Sequence, residues 1–204
     1  MTASPQTTSA SQRVRPPTAP VGHMPGEAAV WVFIIGDLLF FTLCFIQFYL
    51  SRARLTEVFD NSQRALSINF AALNTILLLT GSLFVVMGVH YVKDGRTRSG
   101  ANLFVLAIGC AAVFGVDKVF EYSHQLSMQH TATSNVFFQY YFMFTGFHAL
   151  HLLIGIAFLT RMRARALAGT PSADDIRFIE VGASFWHLVD LLWVLLFPIL
   201  YIVH

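Results

Sequence analysis

The sequence is poor in charge. Asp, Glu, Lys and Arg make up 12% of its 204 residues against 55% hydrophobic, and the formal net charge is only +2. A balance so weakly basic gives no ground for a nucleic-acid partner, whose phosphates call for a concentrated basic face. It also leaves too few polar side chains to clothe a sizeable water-soluble domain. Cysteine is scarce too: Cys44 and Cys110 are the only two, and both sit inside apolar stretches. That excludes a disulfide framework, a thiolate metal centre and a Cys-x-x-Cys-His haem attachment, and makes the pair small apolar residues of a buried interior.

What the chain has instead is long apolar runs, with 20 Phe among them. Five of these, at 28–50, 68–92, 101–122, 136–160 and 178–203, are each long enough to cross a hydrocarbon core of about 30 Å as a helix. The fold class expected is therefore all-α, an integral membrane bundle of five transmembrane helices over residues 24–204. Residues 1–23 are rich in Ser, Thr, Pro and Ala without apolar periodicity, and are expected to form a disordered cytoplasmic tail. A cleaved signal peptide fits poorly, because the first run starts late, is too long for an h-region and contains Asp37. Pro25, Gly26 and Glu27 suit a helix start.

Loop charge sets the expected orientation. The tail carries Arg13 and Arg15, the second-to-third connection Lys93, Arg96 and Arg98, and the fourth-to-fifth Arg161, Arg163, Arg165 and Arg177. Only Arg52, Arg54 and Arg64 stand on the other side. The positive-inside rule then puts the N-terminus in the cytoplasm and the C-terminus outside. His124 and His130, in the outer third-to-fourth connection, read as solvated.

Against this apolar background a few ionisable residues stand out. Asp37 lies ten residues into the first run, roughly 15 Å deep. His148 and His151, three apart, share one face of the fourth helix, and His187 and Asp190 share one face of the fifth. All five fall near the midplane, where an ionisable side chain is costly and usually faces other helices. Lys118 and Glu121 end the third helix at ion-pairing spacing, in the outer third of the bilayer, where snorkelling is open to them. On the second helix Asn69, Asn74, Thr75, Thr80 and Ser82 suit interhelical hydrogen bonds.

The midplane residues allow several chemistries. A metal centre would need more ligands than one His-x-x-His and one His-x-x-Asp provide, and no Glu-x-x-His repeat appears. A haem clamped between two histidines fits the count but is not demanded by the spacing. A proton relay and a purely structural His–Asp network fit equally well. A small transporter is a further possibility, since midplane polar groups also mark substrate sites.

Five motifs in order resemble the subunit III family of haem-copper oxidases, of which cytochrome c oxidase is the type. They are Gly36-Asp37-Leu38-Leu39-Phe40-Phe41, Asn74-Thr75-Ile76-Leu77-Leu78-Leu79, Glu121-Tyr122, Thr145-Gly146-Phe147-His148-Ala149-Leu150-His151, and Trp186-His187-Leu188-Val189-Asp190-Leu191-Leu192-Trp193. The resemblance implies a non-redox membrane subunit with no catalytic centre of its own. Such a subunit supports proton uptake, lipid binding and stability of the catalytic subunit in aerobic electron transport. It implies catalytic subunit I and, beside it, subunit II as partners, with haem and copper held by the partner. It also implies a V of helices, the first two against the other three, with phospholipid in the cleft, and residence in a bacterial cytoplasmic membrane. Asp37, Glu121, His148, His151, His187 and Asp190 match family motif positions, and Lys118 stands where Gln is usual. Many members have seven helices and this chain the last five; the short length and the Lys118-x-x-Glu121-Tyr122 ending resemble a branch accessory to bacterial nitric oxide reductases.

Overall fold

A computed structural model describes residues 28–203, with side chains from Val30 onward. The expected tail and the Pro25-Gly26-Glu27 helix start lie outside the described residues. Seven helical elements follow in order: α1 Ala28–Arg54, α2 Thr56–Gln63, α3 Ile68–Lys93, α4 Thr97–Ser127, α5 Val136–Leu167, α6 Ala173–Phe197, and a π-helical turn at Pro198–Ile202. There is no strand among the described residues. α1, α3, α4, α5 and α6 have the length and hydropathy of membrane spans, as the apolar runs predict. In lipid a helix satisfies every interior backbone group within itself, which is why uninterrupted runs of this length become helices.

Polar residues mark the ends. The Asn135 side chain accepts from the Phe138 N–H at 2.9 Å and caps α5. Ser172 and Asp175 form a capping box at the start of α6, reinforced by Asp174 in the first turn. At the far end of α6, Pro198 has no N–H to give and the chain widens into the π turn. Gln63 Nε2 donates to the Ile199 and Leu200 carbonyls of that turn, at 3.3 and 3.2 Å.

α3, α4, α5 and α6 form a closed ring in which each packs on the next and α6 returns to α3. Leu78, Val85, Phe104, Ala107, Phe114, Trp186, Val189 and Trp193 fill its interior. α3 and α4 approach most closely where Gly88 faces Gly100: a Cβ on Gly100 would lie 2.7 Å from the Gly88 carbonyl oxygen. Small residues at such a crossing let backbones touch, the usual device of membrane helices.

α1 stands outside the ring. Only 6% of its apolar window is buried by protein, against 61% for α6. It leans on α5 through Phe41 and Phe48, whose rings pack on Phe144, and on α6. The expected grouping of the first two helices against the other three is therefore corrected: α3 belongs with α4 and α6, and α1 is the outlier. Small residues at the α3–α4 crossing decide this, because they allow α3 a contact that α1 lacks.

α2 was not expected, since eight residues of low hydropathy leave no span-length signal. It folds across the end of the bundle where the C-terminal π turn lies. Phe59 wedges between Phe48 and Phe137 at 5.2 and 5.6 Å, Arg52 pairs with Asp60 at 3.2 Å and also donates to the Val203 carbonyl. Ser62 Oγ accepts from Asn135 Nδ2 at 3.0 Å. His130 is not simply solvated: it bonds Gln125 at 2.8 Å and stacks on Phe138.

Candidate functional site

The end of the ring nearest the α6 C-terminus holds a knot around Glu121 on α4. Its Oε2 accepts from Lys118 Nζ at 2.5 Å, and its Oε1 accepts from the hydroxyls of Tyr141 (2.7 Å) and Tyr201 (2.6 Å). Lys118 also donates to Tyr201 at 2.8 Å and lies over the Trp193 ring at 4.6 Å. Lys118 and Glu121 are 8% and 9% exposed, so neither takes the snorkelling route that their position leaves open. Burial is tolerable because the carboxylate and ammonium meet each other and two further hydroxyls. Alongside, Tyr122 and Thr145 bond at 2.5 Å, and Thr145 donates to the Tyr141 carbonyl at 2.6 Å.

Asp37 and His151 join α1 to α5. Asp37 Oδ1 is 3.2 Å from His151 Nε2, and both side chains are about nine-tenths buried. His151 Nδ1 lies 2.8 Å from the Phe147 carbonyl, which can only accept, so Nδ1 carries a proton. Closing the Nε2 to Oδ1 contact as a hydrogen bond then takes one more proton, held on the nitrogen or on the oxygen. The pair joins the two spans through a buried contact.

His148 is different. It is 1% exposed, set between Phe114 and Trp193 with ring centroids at 5.5 and 5.1 Å, and neither ring nitrogen has a hydrogen-bond partner among the described residues. On α6, His187 Nδ1 bonds Ser82 Oγ of α3 at 2.7 Å and lies 4.0 Å from Asp190 Oδ2. Both Asp190 oxygens lack a partner among the described residues.

The expected single layer is thus three separate places: Asp37 with His151 at the α1–α5 seam, His148 among aromatics, and His187 with Asp190 at the α3–α6 seam. Of the second-helix polar residues, three bridge as expected: Asn74 donates to Asp117 at 2.5 Å, Thr75 accepts from Trp193 Nε1 at 3.1 Å, and Ser82 meets His187. Thr80 bonds back to its own helix at Ile76, and Asn69 is exposed. Tyr141 and Tyr201 were missed. The signal for Tyr141 was there, since Tyr141, Thr145 and His148 recur at helical spacing on one face. Among the described residues no group of three His, Cys, Asp or Glu is placed to hold a metal ion. His151 and His187 each turn to a partner on another helix, Asp37 and Ser82.

Fold and site together define a class: a multi-pass helical membrane protein with ionisable groups buried in pairs on and between its spans. The chain belongs to the cytochrome c oxidase subunit III family, whose profile matches residues 24–204. The cytochrome c oxidase subunit 3 of Corynebacterium diphtheriae is 30% identical over 176 residues, 84% of this chain and 85% of that one. The protein of the same name from Thermostichus vulcanus is 28% identical over 172 residues, 84% of each. A haem-copper oxidase subunit I+III of Aeropyrum pernix is 26% identical over 186 residues, 87% of this chain and 22% of that longer one. The chain is a non-catalytic membrane subunit of a respiratory haem-copper oxidase.

Proposed function

We propose that this subunit sits beside catalytic subunit I, with subunit II completing the complex, and supports proton uptake by the catalytic core. The observation that carries the reading is the Asp37–His151 pair, a one-proton site buried between two spans. The fused subunit I+III relative supports the first partner, because one chain carrying both names keeps both together. The subunit 3 names of the other relatives favour an oxygen-reducing core over a nitric oxide reductase.

Haem and copper belong to the partner in this reading, and this chain supplies helices, lipid contact and buried proton sites. Residues 1–23 form its cytoplasmic tail and 24–204 its one membrane domain, in a bacterial cytoplasmic membrane with the C-terminus outside. Two apolar grooves suit phospholipid chains. One, of about 540 Å³, runs between α4 and α5, and one of about 350 Å³ lies between α1, α5 and α6. Within the polar set, Asp37 with His151 and His187 with Asp190 are the proton-network residues and Lys118 with Glu121 their anchor, while His148, with no hydrogen-bond partner among the described residues, stands apart from the network.

The test is a mild-detergent pull-down of the tagged chain from its native membrane, with mass spectrometry of the large haem-bearing subunit that accompanies it. An oxygen-reducing core is expected. A nitric oxide reductase core would move the chain to the accessory branch, and no haem-bearing subunit would overturn the partnership.

A further inference from the structure

The groove between α3 and α6 is set apart by what lines it. α6 presents Glu180, Ser184, His187 and Asp190 four, three and three residues apart, one continuous face. Across from it α3 presents Lys93, His90 and, deeper, Ser82. The groove, about 230 Å³, is lined by His90, Lys93, Glu180, Ser184 and His187 among small apolar residues. At its mouth Lys93 Nζ pairs with Glu180 Oε1 at 2.5 Å. At its floor His187 is 38% exposed by side chain, and Asp190 behind it only 6%.

We propose that this groove is a proton half-channel, with His187 as the relay at its floor and Asp190 as the terminal acceptor. The span from Glu180 to Asp190 is ten residues, about 15 Å of helix rise, which is half of a hydrocarbon core of about 30 Å. Lys93, His90 and Glu180 line the mouth, on the side that loop charge makes cytoplasmic. His187 is fixed by its Ser82 bond, so one ring nitrogen is committed to α3 while the side chain still faces the groove. A proton arriving on Nε2 frees the one on Nδ1, which leaves its bond to Ser82 Oγ and passes to Asp190 Oδ2, 4.0 Å from the same nitrogen. Asp190 suits the end of the path because it lies buried behind His187 and neither of its oxygens meets a hydrogen-bond partner among the described residues.

The inference rests on the reading that this subunit handles protons, and its test separates the two. The full chain is taken in its purified complex, and infrared difference spectra are recorded in H₂O and after a jump to D₂O. The parent is expected to show a protonated-carboxyl band that is missing in Asp190→Asn and that shifts in D₂O. In His187→Phe the band should remain and its shift should slow by about a hundredfold, the low end of what a positioned proton-transfer group contributes. Ser82→Ala removes the interhelical bond that holds His187 Nδ1 but keeps the imidazole, and should slow exchange less than His187→Phe does. No band lost in Asp190→Asn, or an unslowed shift in His187→Phe, overturns the half-channel. Slowed exchange with unchanged oxidase turnover upholds the channel and removes the proton-uptake role. Reduced turnover with unslowed exchange does the reverse.

Discussion

Lys118 and His148 line the same groove between α4 and α5, and both touch Trp193, yet the fold treats them in opposite ways. Lys118 is tied to Glu121 and Tyr201, and through Glu121 to Tyr141, so that α4, α5 and the C-terminal turn meet in one knot. His148 has no hydrogen-bond partner at all among the described residues. Depth in the membrane therefore does not assign a role. Lys118 and Glu121 hold the bundle together by their bonds, and His148 is held in place by aromatic packing alone.

The comparison breaks first at Glu121. Glu121→Ala leaves a buried ammonium without its counter-ion and two tyrosine hydroxyls without their acceptor, and is expected to cost about 3 to 5 kcal/mol, read as a fall in the thermal midpoint and yield of the detergent-solubilised protein. Gly100→Ala tests whether the α3–α4 seam is independent of the knot. Its Cβ would meet a backbone oxygen at 2.7 Å, and a loss of about 1 to 3 kcal/mol is expected from overpacking, additive with Glu121 substitutions in a double-mutant thermal series. Tyr201→Phe removes one of the three donors to Glu121 and an acceptor of Lys118, and should cost about 2 kcal/mol in the same assay. The smallest effect belongs to His148→Phe. With no bond to lose and a ring-shaped site to fill, it should leave the midpoint unchanged; a loss as large as that of Tyr201→Phe would show that His148 has a bonded partner.

Spacing was enough to find the spans and the charged pairs that lie on one helix. Lys118 with Glu121 and His187 with Asp190 are both three apart, so their proximity follows from helix geometry before any tertiary contact. Partners on different helices are set by rotation and crossing, which no local pattern states. Asp37 reads as deep but not as bonded to His151, and the depth that five residues share does not show that three seams separate them. α2 escaped because eight amphipathic residues carry no hydropathy signal, and the isolation of α1 because its apolar content equals that of helices buried in the ring. Tyr201 was hidden by distance in sequence: it reaches Glu121 from 80 residues away.

The division between an architectural knot and a proton-bearing interior is tested most directly at Asp37. The purified complex carrying Asp37→Asn is compared with its parent in subunit content, thermal midpoint and proton uptake during steady oxygen reduction. The account expects the subunit to be retained with little change in midpoint, and proton uptake per complex to slow. Loss of the subunit, with uptake unchanged in the complexes that keep it, would contradict it and make the Asp37–His151 pair a fastening of α1 to α5.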